Sequence, residues 1–535
     1  MARIRIKGEG GDLLDTLLEE GFFVDNPCNG KGICGKCKVK VRGSLKRPGG
    51  SYQELSEISR TERAHLSEEE IASDIRLACM VQVLGDVEVE LLKKEGTHKI
   101  LDQGYLPEFQ QDEGEAGYGV AVDIGTTTVA AALVDLSSGR EVAGASMINA
   151  QKRFGLDVLT RITYEYEHPK TGIQELQKAM VGSLNGMIRE MCGEAGISPE
   201  EIRRIHVSAN CTMTHMLLGV DARSIGRAPY QPVFREAKTL AAAEIGLQAG
   251  KDTTLYCLPQ VSAYIGADIV AGAYVCQLAR ARGNVLFVDI GTNGEIVLAS
   301  GGRLLCCSCA AGPALEGMNI SCGMRAAEGA VEDVAVTEEG VKLTTIGEEE
   351  PAGICGSGIL AVLRELLRTG LVKKSGVFVK TESIPEGDYR HGLLRTNGKK
   401  REFILCKEPQ LVVTQSDIRQ VQLAKGAILS GFTALLRQAG VGMEDLDQVL
   451  VAGQFGAHLP VESLVGAGIL PREVEEKVVY VGNASKNGAY MTLLSRKARE
   501  EVEALAEKME YLELAQTDGY ERIFAECMIF PKREE

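Results

Sequence analysis

Four cysteines carry the first chemical signal. Cys28, Cys34 and Cys37 stand with five and two residues between them, and Cys79 follows after 41 more. Three thiols on one loop with a distant fourth is a spacing that binds a 2Fe-2S cluster, each iron taking two thiolates. Gly30, Gly32 and Gly35 let backbone N–H groups come close to the sulfurs. A zinc site needs two Cys-x2-Cys or Cys/His pairs, whereas only Cys34 and Cys37 form one and no histidine neighbours Cys79. Ordinary buried thiols fit less well still, because a polar Gly-Lys-Gly loop is a poor place for core residues. Lys31, Lys36 and Lys38 surround the loop, where they either steer an acidic redox donor or are simply solvated.

Two turns carry the second signal. Asp123 is followed by Gly125, Thr126, Thr127 and Thr128, and Asp289 by Gly291, Thr292, Asn293, Gly294 and Glu295. In each, a carboxylate at a strand end precedes a glycine that lets backbone amides reach phosphate oxygens, with hydroxyls as extra donors. The aspartates are placed to organise Mg²⁺ and an attacking water. One such turn is weak evidence, since Asp-x-Gly also opens hairpins; two are strong. Glu295 either polarises water or pairs with a cation. Asn210 and Thr212 end a strand and face the same cleft, although a structural turn explains them nearly as well.

The elements that must hold these residues divide the chain. Residues 1–92 open with an alternating strand at Ile4 and Ile6, continue into a helix from Asp12 and close on Val87, Val89 and Leu91, the pattern of a small α+β unit. Residues 93–117 are polar, with Gly96, Gly104, Pro107 and Gly114, and read as a linker that few apolar contacts can hold. From Tyr118 onward short apolar strands alternate with amphipathic helices, so residues 118–535 form α/β layers. One helix carries Ile418, Val421, Ile428, Phe432 and Leu435 on one face, with Ser416 as its expected cap and Gly440 as its stop. The recurrence of the Asp-Ile-Gly-Thr turn marks an internal duplication, with lobes at about 118–283 and 284–535.

A chain of 535 residues, 44% of them hydrophobic, can bury more than one core. The net charge of −15 repels phosphate backbones and anionic bilayers, and the absence of Trp removes stacking platforms, so neither nucleic acid nor membrane is an expected partner. No signal peptide or span of about 18 apolar residues is visible. Fifteen cysteines in such a chain point to metal or redox chemistry in reducing cytoplasm.

The cysteine loop resembles that of the plant-type ferredoxins, and most nearly the adrenodoxin and putidaredoxin branch, which also places five residues between its first two ligands. A β-grasp fold is implied. The paired turns, followed late by the strand and Gly-rich turn Val449–Gly456, resemble the acetate and sugar kinase, Hsc70 and actin superfamily. That likeness implies two RNase H-like lobes clamping ATP, with Gly453, Gln454, Phe455 and Gly456 approaching adenosine. The blocks Asn149–Arg161, Asn210–His215, Cys307–Gly317, Gly323–Arg325, Gly353–Gly358, Thr414–Arg419 and Gly482–Ala484 resemble the reductive activators of corrinoid proteins, a likeness running from Cys28 to Pro531. It implies further nucleotide contacts at Gly356, Ser357 and Asn483. It also implies an activity: ATP-dependent, one-electron reduction of a cob(II)alamin-bearing methyl-transfer protein to the cob(I)alamin state, fed by a reductase or ferredoxin, in a homodimer.

Larger members of that family carry a further domain for which residues 93–117 leave no room. Cys309 and Cys322 depart from the family pattern, and with Cys306 and Cys307 they imitate a second metal site, although adjacent cysteines ligate one metal poorly and core packing explains them better. Relatives with C-terminal four-iron clusters need more thiols than Cys527, the only one after Cys406. Two other readings keep the same residues: a small-molecule kinase with a regulatory cluster, which leaves the fused cysteine domain unexplained, and a nucleotide-dependent redox sensor without turnover, which has no need of both aspartates.

Overall fold

The computed structural model describes residues 3–6, 11–19, 24, 35, 37–43, 54–91, 105–398, 400–408, 410–453 and 459–531. Its contacts divide the chain into two compact units, Met1–His98 with Lys152–Leu156, and Lys99–Gln151 with Asp157–Glu535.

In the first unit, β1 (Arg3–Ile6), β2 (Lys38–Gly43), β3 (Ile75–Leu77) and β4 (Val87–Leu91) form an antiparallel sheet in the order β1-β4-β2-β3. Alternation does the sorting. Val39, Val41, Val87 and Val89 point inward and pack with Leu13 and Leu17 of α1 (Leu13–Glu19), so the opening strand, the helix after Asp12 and the closing strand stand where the pattern puts them. The helix α2 (Arg60–His65) begins with a capping box in which Ser59 and Glu62 satisfy each other's backbone N–H. Glu62 also receives Arg76 Nε at 2.8 Å and Nη2 at 3.0 Å, both side chains being buried. Removing one partner of such a pair strands a charge. Glu62→Ala is therefore expected to cost the first unit about 3–5 kcal/mol, read by urea denaturation of the full chain.

The second unit holds two six-stranded sheets. The first runs β9-β10-β8-β5-β6-β7, from β5 (Tyr118–Ile124), β6 (Thr128–Asp135), β7 (Glu141–Ile148), β8 (Ile202–Ala209), β9 (Lys238–Ala241) and β10 (Thr254–Cys257). The second runs β15-β14-β11-β12-β13-β16, from β11 (Val285–Ile290), β12 (Gly294–Ser300), β13 (Arg303–Cys309), β14 (Gln448–Ala452), β15 (Val478–Gly482) and β16 (Met509–Tyr511). In both, an antiparallel three-strand meander is extended by two strands parallel to its first: β8 and β10 beside β5, β14 and β15 beside β11. This is the RNase H-like duplication expected from the repeated turn, with β9 added at one edge of the first sheet and β16 at one edge of the second.

The long helix of the second lobe is α7 (Gln415–Ala439), with Ile418, Val421, Ile428, Phe432 and Leu435 buried in its core and Gly440 ending it at φ +70°. Its cap is Thr414 rather than the expected Ser416. Asp417 returns a carboxylate oxygen to the Thr414 N–H at 2.8 Å, completing a capping box that Ser416, already inside the helix, cannot make.

Residues 105–117, expected to be held by few contacts, are tied down along their length. Tyr105 N–H donates to Val481 O and Asp112 N–H to Leu494 O, each at 2.9 Å. Phe109 packs edge-on against Tyr490 with ring centres 6.1 Å apart, and Gln111 Nε2 donates to Leu136 O at 2.8 Å. Polar side chains suggested a free linker; backbone hydrogen bonds, which leave no mark on composition, hold it instead.

Candidate active site

Of the four candidate cluster thiols, Cys37 and Cys79 are among the described residues, and Cys28 and Cys34 lie outside them. Cys37 precedes β2, and Cys79 sits in the 3-10 turn Ala78–Met80 after β3. The ladder pairs Lys38 with Leu77, and Ala78 N–H donates to Cys37 O at 2.8 Å, so sheet register brings the side chains together. Their sulfurs are 3.2 Å apart and buried. That is too long for a disulfide, and an opening of about 0.6 Å would reach the roughly 3.8 Å between two thiolates sharing a tetrahedral metal with bonds of about 2.3 Å. The Cys79 hydrogen bond lowers the Cys37 thiol to about 7 against the opposing effect of burial. A thiol lowered this far beside a second buried thiol fits a metal cluster. Lys38 forms an ion pair with Glu70 at 2.6 Å, so its charge is already partly engaged.

In the second unit the two turns face one another across a cleft of about 150 Å³. It is lined by Asp123, Gly125, Thr126, Thr127, Thr128 and Asn210 from the first lobe and Asp289, Gly291, Thr292, Asn293, Glu295 and Gly453 from the second. Asn483 lines it too. Gly125 N–H closes its turn on Thr128 O and Gly291 N–H on Asn293 O, each at 2.9 Å. The amides of Thr126, Thr127, Thr292 and Asn293 then have no acceptor among the described residues, which leaves two open donors in each turn. An anion with oxygens on both sides, such as a polyphosphate, satisfies all four.

Carboxylates crowd the floor. Burial raises Asp123, and Ser485 Oγ at 2.7 Å and Asn483 Nδ2 at 3.0 Å oppose that rise by donating to it. Burial followed by the charge of Asp123 lifts Asp289 to about 7. Asp268, at the start of α6 (Ala267–Val275), is lifted to about 8 by burial, then Asp289, then Asp123. Burial, Asp268 and Asp289 push Glu295 well up. Neighbouring carboxylate charge raises Asp268, Asp289 and Glu295, and Lys486 opposes the rise only at Asp123, so a divalent cation supplies positive charge where the cluster has little. The residues fit Mg²⁺ on that ground. Gly453 lets the backbone approach: at φ +93°, a Cβ there would lie 2.5 Å from Asp289 Oδ1.

Several expected roles change. Asn210 donates to Thr126 Oγ1 at 3.0 Å and accepts from Met213 N–H at 2.9 Å as the cap of α5 (Cys211–Leu218), so it ties the first turn to that helix while lining the cleft. Asn483 is similarly engaged between Asp123 and the Lys486 N–H, capping α8 (Ala484–Leu494). Gly294 is buried against Cys309 and Ile428. Gly356 and Ser357 do not line the cleft; a Cβ at Gly356 would lie 1.8 Å from Leu315 O, which makes that glycine a packing requirement. Gln454, Phe455 and Gly456 lie outside the described residues. The second cysteine group makes no metal site: Cys306, Cys307 and Cys309 turn their thiols to the carbonyls of Glu510, Gly431 and Gly294, and burial raises all three.

Asp268, Ser485 and Glu316, which accepts from Thr292 Oγ1, were not singled out from sequence. Asp268 left a usable trace as the lone charge in the apolar run Ile265–Val275.

A solved "Reductive activator for corrinoid, iron-sulfur protein" matches this structure with a TM-score of 0.68 at 31% identity, covering 98% of this chain and 96% of that one. The chain belongs to the reductive activators of corrinoid proteins. Within this activator, residues 118–281 match the description "RACo middle region" and residues 283–535 match "C-terminal domain of RACo the ASKHA domain". The activator is 29% identical to the "Corrinoid activation enzyme RamQ" of Eubacterium limosum over 94% of this chain and 93% of the relative. It is 25% identical to the "[Co(II) methylated amine-specific corrinoid protein] reductase" of Methanosarcina barkeri, over 76% of each. Over 82 residues, 15% of this chain and 18% of the relative, it is 45% identical to a component of the Na(+)-translocating NADH-quinone reductase of Haemophilus influenzae.

Proposed function

We infer that this protein carries out ATP-dependent reductive activation of a corrinoid protein, with an iron–sulfur unit for the electron and an actin-like unit for the nucleotide. The observation that carries it is the full-length match to a reductive activator, through both the cysteine unit and the paired-turn unit. In finer detail, residues 1–92 are the electron-transfer domain and 118–535 the ATPase. Cys28, Cys34, Cys37 and Cys79 hold a 2Fe-2S cluster, which when bound supplies one-electron reduction. Asp123 and Asp289 hold Mg²⁺, the open amides of the two turns hold phosphates, and Asp268 with Glu295 orients the attacking water.

The acceptor is cob(II)alamin on a methyl-transfer protein and the product is cob(I)alamin. Each 100 mV of uphill gap costs about 2.3 kcal/mol for one electron. ATP meets that cost through the partner, by favouring a corrinoid state that accepts the electron more readily or by releasing the reduced product. An electron-donating reductase or ferredoxin, a cytoplasmic setting and a homodimer complete the proposal. Among the described residues no helix is long and apolar enough to cross a membrane.

The test is anaerobic spectroscopy of a cob(II)alamin-bearing methyl-transfer protein mixed with this protein, a reductant and Mg-ATP. The cobalt(I) band is expected to grow only with ATP. No cobalt change across several corrinoid proteins, with cluster and ATP turnover intact, would overturn the reading.

A further inference from the structure

No residue of the block Asn149–Arg161 lines the cleft, yet the block reaches behind the first turn. Asn149 Nδ2 donates to Gly125 O at 2.8 Å, and Asn149 N–H donates to Thr127 O at 2.9 Å. Between them, Arg161 Nη2 of α3 (Val158–Glu167) donates to Thr126 O at 2.5 Å. Three successive carbonyls are therefore held from the back, and the peptide planes turn the Thr126 and Thr127 amides the other way, toward the cleft.

The clamp is itself held. Gln151 N–H donates to Asn149 Oδ1 at 3.0 Å, Gln151 Nε2 anchors on Leu176 O at 2.9 Å, and its Oε1 lies 3.4 Å from Arg161 Nη1. Met213 Sδ lies 3.2 Å from Arg161 Nη1 and 3.5 Å from Asn149 Nδ2, which ties the clamp to the helix capped by Asn210. Asn149, Gln151 and Arg161 are all fully buried. Burying a guanidinium is costly, and here desolvation lowers Arg161 to about 9, only partly offset by the charge of Asp157. A neutral donor could hold the Thr126 carbonyl by itself. What it would not supply is positive charge behind the donors that meet an anion.

We propose that Asn149 and Arg161 are positioning residues for nucleotide binding: they fix the Gly125–Thr127 turn with its amides toward the phosphates, and Arg161 adds a buried positive charge behind it. The proposal rests on the ATP-dependent reading above.

The test compares Arg161→Met, Arg161→Lys and Asn149→Ala in the full chain, by steady-state ATP hydrolysis with saturating Mg²⁺. Arg161→Met is expected to raise KM for ATP roughly ten- to a hundredfold while kcat changes less than about threefold. Arg161→Lys, which keeps charge and one donor, restores KM to within about fivefold of wild type. Asn149→Ala loses one carbonyl contact but keeps its backbone donor to Thr127, and raises KM about three- to tenfold. It is the deciding variant if Arg161→Met does not fold. Wild-type KM in Asn149→Ala or Arg161→Met overturns the proposal, as does an Arg161→Lys no better than Arg161→Met, which would make the charge irrelevant. A wild-type protein that hydrolyses no ATP would instead overturn the functional reading itself.

Discussion

Asp289→Asn is expected to lower ATP hydrolysis and ATP-dependent corrinoid reduction together by about 10²–10³-fold, while raising thermal stability at neutral pH. The two effects share one cause. Asp289 ends β11 beside Asp123 and Asp268, and burial with the Asp123 charge holds its carboxyl up near 7. Without a cation beside it, its charge is a liability; in the proposed cation site that same charge becomes the ligand. The sign of the pH dependence follows. An unfolded aspartate titrates near 4, so as pH rises from about 4 to about 7 the unfolded chain gives up a proton that the folded one keeps. Stability falls through that window and is level above it. Asparagine, the same size and uncharged, removes this loss. Its advantage in Tm should be absent at pH 4, grow to about pH 7 and then stay constant in metal-free buffer. Loss of activity with gain of stability marks a strained functional position, and an Asp289→Asn protein retaining a third of wild-type hydrolysis would remove Asp289 from the cation site.

What sequence could reveal here depended on whether chemistry was local. The Gly125–Thr128 and Gly291–Gly294 turns were legible because a strand end, a carboxylate and a glycine follow one another along the chain, and their repetition announced two lobes before any strand order was known. Cysteine spacing was legible for the same reason. Asp268 was not, because it enters the cleft from a helix between the two turns and gains its character from burial and from the charges of Asp289 and Asp123. Asn210 and Asn483 line the cleft as residue type and position suggested, and their hydrogen bonds to Thr126 and Asp123, which sequence did not reveal, tie each to the turn or carboxylate beside it. Ser416 looked as good a cap as Thr414 because both residue types can cap, and only the return bond from Asp417 chooses between them. The 105–117 strap escaped for a deeper reason, since main-chain donors and acceptors are common to all residues and its anchors are some 380 positions away at Val481, Asn487 and Leu494.

Cys79→Ser should reduce corrinoid reduction to background while ATP hydrolysis by the second unit stays within about twofold of wild type. The expectation follows from how the thiol pair is built. Register between β2 and β3 and the Ala78–Cys37 backbone bond bring the two sulfurs to 3.2 Å. The hydrogen bond between Cys37 and Cys79 lowers the Cys37 thiol to about 7. Serine keeps the shape but not the ligand: an alcohol does not ionise near neutral pH, and the Cys37 thiolate loses both its partner and the second donor to a shared metal. The visible absorption of the cluster should vanish, and with it the one-electron capacity that the second unit cannot replace. Metal analysis gives the sharper discrimination. Wild-type protein prepared without air should carry about two irons and two acid-labile sulfides per chain, and Cys79→Ser about none. A wild-type chain holding a single zinc, or a Cys79→Ser protein that still reduces the corrinoid at the wild-type rate, would show that this pair of thiols is structural and that the electron enters elsewhere.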